Sequence, residues 1–151
     1  MRYEPIKDKL GKIVGESAVK RRILYCILGV IFLREWHVKR GLRKIFREKR
    51  IESVLDAGSG FGQYSYYIAR KKSKIQPAEE AKVCGVDINR EEINKCNTFA
   101  GRLGLSNLSF GFADLEKLEF NEEFDLVVSV DVMEHIKDDI IVFKNFCKAL
   151  R

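Results

Sequence analysis

The chain has 151 residues, 46% hydrophobic and 33% charged, which excludes a disordered polymer and a membrane bundle and fits one soluble globular domain. Its 28 Lys and Arg against 22 Asp and Glu give a net +6, but the excess is local: residues 1–50 hold 15 basic and 5 acidic side chains, net +10, whereas residues 51–151 hold 13 and 17, net −4. Cys26, Cys84, Cys96 and Cys147 form no C-x-x-C pair and no zinc spacing, and three sit in apolar runs, so they read as reduced, small core residues of a cytosolic protein.

In chain order, the first element is a helix over residues 17–33. It contains the apolar run Ile23 to Leu33, which follows Lys20-Arg21-Arg22. That run has 11 residues, against the ~20 needed to span a bilayer, and Arg34-Glu35 ends it. It predicts a buried helix, with peripheral contact at a membrane surface as the other reading. A second helix follows, in which Val38, Leu42, Ile45 and Phe46 share one face and Lys39, Arg40, Arg43, Lys44 and Arg47 cover the rest. Residues 1–50 are thus expected to form a basic helical cap. Its charge reads first as a merely soluble surface and otherwise as attraction to anionic substrates, acidic lipid headgroups or nucleic acid, the last being the unlikely partner.

From Ser53 the period changes. Ser53–Ala57, Lys82–Val86, Leu108–Ala113 and Phe124–Val130 read as strands. Between them, 62–71 places Tyr64, Tyr67 and Ile68 on one helical face, and 89–103 places Ile93, Cys96, Phe99, Ala100 and Leu103 together, opened by an Asn89/Glu92 capping box. Residues 71–82, with Pro77, read as a loop. A last helix carries Ile136, Ile140, Phe143, Cys147 and Leu150 as one stripe. Alternating strands and helices specify an α/β fold: a Rossmann-like parallel sheet with helices on both faces, preceded by the N-terminal helices.

The sharpest motif is Val54-Leu-Asp-Ala-Gly-Ser-Gly-Phe-Gly62, a strand running into glycines at 58, 60 and 62 and then a helix. Glycines admit close backbone approach, and the helix start offers free N–H donors. A dinucleotide fingerprint would need glycine at 63, where Gln63 stands, and there is no Lys-Ser/Thr to grip phosphates. Asp56 before the glycines is expected to put a carboxylate at the loop mouth, suited to an ammonium or sulfonium group. Each strand ends in such an acid, Asp56, Asp87, Asp114 and Asp131. Open parallel sheets bind ligands beyond those strand ends. Any one of them alone would read as a cap or turn aspartate.

Taken together, Val54–Gly62, Val86-Asp-Ile-Asn89, Ala113-Asp-Leu115 and Phe124–Ile136 resemble the successive motifs of the class I S-adenosylmethionine-dependent methyltransferases, over about residues 51–150. The nearest flavour is the small-molecule branch that includes quinone-biosynthesis enzymes. The resemblance implies S-adenosylmethionine as cofactor and a small-molecule methyl acceptor. It implies Asp56, Gly58, Ser59 and Gly60 around the methionine part, Asp87 on the ribose hydroxyls and Ile88 on the adenine. Asp114 would accept from the adenine amino group, with Ala113 and Leu115 beside it, and Val130 and Asp131 would border the methyl group. Asp131, Glu134 and His135, at i, i+3 and i+4, have the spacing of a divalent-metal set, but the preferred reading is that they anchor the next helix without metal; His135 is the one candidate general base.

The family sheet has seven strands, so the resemblance implies a chain truncated after the fourth strand and its helix. Strand order 3-2-1-4 would then leave strand 4 as an exposed edge, open to pairing in a homodimer. The competing reading is a non-catalytic module of the same fold that holds a membrane surface, a nucleic acid or a partner protein through its basic helices.

Overall fold

The computed structural model describes residues 19–23, 25, 33–72 and 82–151. The chain divides into two units, Met1–Arg50 and Ile51–Arg151. In the first, residues 19–23 and 25 are helical, and helix α1 spans Leu33–Glu48. Leu42 is buried and Val38, Ile45 and Phe46 half-buried, while Arg40, Lys44 and Arg47 are exposed, the amphipathic division that the spacing predicts. Glu35 and Lys39, one turn apart, form an ion pair. Cys26, the remainder of the expected 17–33 helix and the expected loop around Pro77 lie outside the described residues. Among the described residues no helix is long and apolar enough to cross a membrane.

The second unit alternates β1 (Ser53–Ala57), α2 (Gln63–Lys72), β2 (Lys82–Asp87), α3 (Arg90–Arg102), β3 (Leu108–Phe112), β4 (Leu126–Val128) and α4 (Asp139–Ala149). Short 3-10 turns at Leu115–Lys117 and Met133–His135 precede and follow β4. The strands are parallel and lie in the order β3-β2-β1-β4, as the family resemblance implies. Leu55, Ala57 and Val86 face one side, where they meet Leu115, Leu118 and Phe124 and the α4 residues Val142, Phe146 and Ala149. The other face is set by Gly85, where a Cβ would fall 2.6 Å from the Phe110 ring of β3 and 2.9 Å from Ser65 Oγ of α2. There Ile68 and Ala69 of α2 and Ile93, Cys96 and Phe99 of α3 are buried. Each such large apolar side chain contributes ~1.5–3 kcal/mol.

Helix α4 corrects the expected stripe. Ile140 and Phe143 are 63% and 55% exposed, whereas Val142, Phe146 and Ala149 line the core. Cys147, expected in the core, is exposed and Cys84 half-buried, so among the described cysteines Cys96 alone is a buried core residue. The helix is apolar nearly all round, so its period alone allows two faces. Two polar bonds fix its rotation: Asp138 caps it through the Ile141 N–H, and Asn145 Nδ2 donates to Leu115 O at 2.9 Å.

Strand β4 is shorter than the expected Phe124–Val130. At its start, Asp125 is a clamp on β1: its Oδ2 accepts from the N–H groups of Glu52 at 2.7 Å and Ser53 at 2.8 Å and from Ser53 Oγ at 3.1 Å. Partial burial opposes ionisation, but these donors and the Arg151 guanidinium together hold the Asp125 carboxyl below the usual carboxylate range. At its end, Ser129 turns its Oγ onto Ala57 O at 3.0 Å and Asp131 leaves extended conformation at φ 58°. The outer edge is not bare throughout: after α4 the chain returns, Leu150 bridges Phe124 in parallel, and Arg151 N donates to Phe124 O at 3.0 Å.

Candidate functional site

The glycine loop follows β1, and all three glycines have positive φ: 81° at Gly58, 52° at Gly60 and 80° at Gly62. Side chains rarely adopt this region, so the alternate-glycine spacing is a backbone requirement. A Cβ on Gly58 would run into Val132, in the segment after β4, and one on Gly62 would reach the Phe110 ring at 2.9 Å. At Gly60 there is open space instead. Gly58 N and Ser59 N both donate to Val86 O, at 2.8 and 2.9 Å, which binds the loop to the end of β2.

Asp87 completes that connection. Its Oδ2 accepts from Gly60 N at 2.8 Å and its Oδ1 from Asn89 N at 2.8 Å, so one buried carboxylate ties the loop to the start of α3. Only half of the expected capping box forms as a result. Asn89 Oδ1 does accept from the N–H groups of Glu91 and Glu92, but the Glu92 carboxylate pairs with Lys95 and the Asn89 N–H belongs to Asp87.

Asp56 stands elsewhere than at the loop mouth. It is buried beneath the loop, where its carboxylate accepts from the hydroxyl and backbone N–H of Ser65 in the first turn of α2. Burial pushes its pKa up to about 6; the Ser65 bonds pull against that rise and the nearby Asp87 charge adds to it. Its role in the fold is to cap α2 from below, anion against helix N-terminus.

The remaining residues divide. Ile88 and Phe112, beyond β2 and β3, are each more than two-fifths exposed, and the Arg90 guanidinium lies 3.7 Å from the Phe112 ring centroid. Ala113 N donates to Asp87 O at 3.1 Å. Asp114 takes the cap role, accepting from Glu116 N at 3.1 Å. The Leu115 side chain packs in the core against α4, because the 3-10 turn that Asp114 caps rotates it inward. Val130 and Asp131 follow β4, with Asp131 in a left-handed conformation that costs ~1–3 kcal/mol. Glu134 and His135 are exposed on the 3-10 turn beyond. Among the described residues no three His, Cys, Asp or Glu side chains gather as a metal-holding group.

Ser59 was expected at the site, whereas Gln63 and Val132 were not. Ser59 Oγ and Gln63 Oε1, on and just after the loop, are buried without a hydrogen-bond partner among the described residues. Buried polar atoms are paired as a rule, so orphaned ones at a glycine loop point to a polar ligand. The signal for Gln63 was its place one residue past the last glycine. Val132 carried none, since only the fold brings it onto Gly58.

Comparison with known proteins agrees with this geometry. A family model described as a methyltransferase domain matches residues 48–151. The chain is 30% identical over 94 residues to a probable (S)-tetrahydroprotoberberine N-methyltransferase 2 of Papaver bracteatum, covering 62% of this chain and 25% of that one. It is 33% identical over 93 residues to a probable chloroplastic tocopherol O-methyltransferase of Oryza sativa subsp. japonica, covering 60% and 24%. It therefore spans about a quarter of the length of these curated relatives. Among solved structures, a SAM-dependent methyltransferase from Aquifex aeolicus shares the fold with a TM-score of 0.67 at 18% identity, over 99% of this chain and 69% of that one.

Proposed function

The chain belongs to the class I S-adenosylmethionine-dependent methyltransferases, and from that membership we propose that it moves the methyl group of S-adenosylmethionine to a small-molecule acceptor. The observation that carries the proposal is the glycine loop held by Asp87, with the orphaned Ser59 Oγ and Gln63 Oε1 beside it. These residues fit the cofactor: Gly58, Ser59 and Gly60 offer polar atoms to its amino-acid end, the Asp87 carboxylate at the end of β2 is the acceptor proposed for the ribose hydroxyls, and Ile88 offers an exposed apolar face to the adenine. The cofactor supplies a methyl group on a cationic sulfonium, an activated leaving group.

What the chain must add is position. Holding an acceptor in line is worth ~7–11 kcal/mol through effective molarity, with no covalent role for a side chain. Val130 and Asp131 border that position, and His135 is the group proposed to take the acceptor's proton. The two curated relatives differ in acceptor atom, nitrogen in one name and oxygen in the other. The quinone-type acceptor implied by the sequence resemblance stays within the proposal, as does a cytoplasmic location, read from the cysteine spacing.

A thermal-shift panel tests this reading. S-adenosylhomocysteine at about 100 times its dissociation constant adds ~2.7 kcal/mol of stability, and NAD and FAD add nothing. A shift with NAD and none with S-adenosylhomocysteine would reverse the assignment.

Self-association through the outer edge of β4 belongs to the same proposal, because Leu126–Val128 is apolar and β-prone and the returning chain bridges only Phe124. Sedimentation velocity should show a monomer–dimer equilibrium that shifts with concentration. A monomer at every concentration removes this part and leaves the catalytic reading intact.

A further inference from the structure

We propose that α1 is a docking surface for anionic phospholipid bilayers, an inference independent of methyl transfer. Trp36, Arg40, Arg43, Lys44 and Arg47 recur at i, i+4, i+7, i+8 and i+11 and so form one stripe along the helix. The stripe lies opposite the buried Leu42. Trp36 is 46% exposed, and the Arg40 guanidinium sits 5.3 Å from its ring centroid. A large apolar ring set among cations on an exposed face is the composition of interfacial helices, where the indole sits at headgroup level and the cations meet lipid phosphates.

Charge complementarity selects an anionic occupant. The acids of α1 neutralise little of the stripe: Glu35 is buried against Lys39, Glu48 makes an exposed 4.0 Å pair with Lys44 alone, and no carboxylate of the described residues reaches Arg43 or Arg47. The positive excess is confined to this end of the chain, since residues 1–50 are net +10 and the remainder net −4. Two observations favour lipid over nucleic acid. Val19 and Ile23, in the preceding helical residues, are both more than half exposed. In the sequence, Ile23–Leu33 is an unbroken stretch without a charge, bounded by Arg22 and Arg34. Exposed apolar groups beside cations gain from an acyl boundary and gain nothing from a sugar-phosphate backbone.

Trp36 is the sole tryptophan, so its fluorescence reads the proposal directly in the full chain. Vesicles of phosphatidylcholine containing phosphatidylglycerol should shift its emission to the blue and shield it from an aqueous quencher. Phosphatidylcholine alone should not, and added salt should reverse the effect. Arg40→Ala combined with Arg43→Ala should lower vesicle partition about 25-fold, at about five-fold per basic residue removed. Circular dichroism checks that the variant keeps its helices, and the lipid comparison on the unaltered chain stands without it. Emission unmoved by anionic vesicles, an equal response to phosphatidylcholine alone, or partition untouched by the double substitution overturns the proposal. So does a shift produced by a single-stranded RNA oligomer at concentrations where anionic vesicles give none.

Discussion

Replacing Asp87 with alanine is expected to loosen the glycine loop and to weaken S-adenosylhomocysteine binding by a factor on the order of 100. The carboxylate is buried and receives the N–H groups of Gly60 and Asn89, both at 2.8 Å. Hydrogen bonds to a charged partner are worth ~1.5–3 kcal/mol each, and their loss leaves two donors without acceptors, so about 3 kcal/mol of stability should go. The loss of affinity has a second source, the ribose contact proposed for the same carboxylate. Asp87→Asn separates the two, because an amide keeps one acceptor but turns an N–H₂ toward one of the two backbone donors. Urea denaturation and calorimetry on both variants make the measurement. A variant destabilised as expected that still bound S-adenosylhomocysteine with unchanged affinity would reduce Asp87 to a structural tie.

The second large effect is a pH dependence centred on Asp56. Its folded-state pKa of about 6 lies above the ordinary 3.8, so the native chain holds this proton more tightly than the unfolded one. Below the ordinary value both states are protonated and Asp56 contributes nothing. As pH rises from there to about 6 the native state alone retains the proton and stability falls. Above about 6 the deficit is complete, at about 3 kcal/mol. Asp125 has the opposite sign: its lowered pKa contributes stability at neutral pH that is lost on acidification. Only a difference measurement therefore isolates Asp56. The stability of Asp56→Asn relative to the parent should climb by about 3 kcal/mol between acid and neutral pH, since an amide still accepts from Ser65 and carries no charge to desolvate. Denaturation curves at a series of pH values decide it, and parallel profiles for the two proteins would show that burial of Asp56 costs nothing.

Local pattern determined a good deal of this protein by itself. The short apolar run Ser53–Ala57 marked β1 to the residue, the alternation of strands and helices set the parallel sheet, and of the expected stripe Ile93, Cys96, Phe99 and Ala100 are buried and Leu103 half-buried. The glycines at 58, 60 and 62 marked a loop whose φ values only glycine meets with ease. These features are legible because each depends on residues within a turn or a strand of one another. Tertiary structure decided the rest, wherever two local solutions were equally good. An acid at a strand end can bond to any donor the fold brings within reach: Asp56 turned to Ser65, Asp114 to the Glu116 N–H and Asp87 to the N–H groups of Gly60 and Asn89. An all-round apolar helix has no preferred face until Asn145 finds Leu115 O and Val142 finds the sheet. Strand β4 ends where it does because Asp125 and Ser129 bond to β1 residues 72 positions away. No window of neighbouring residues contains a contact of that separation, and only the closed chain supplies it.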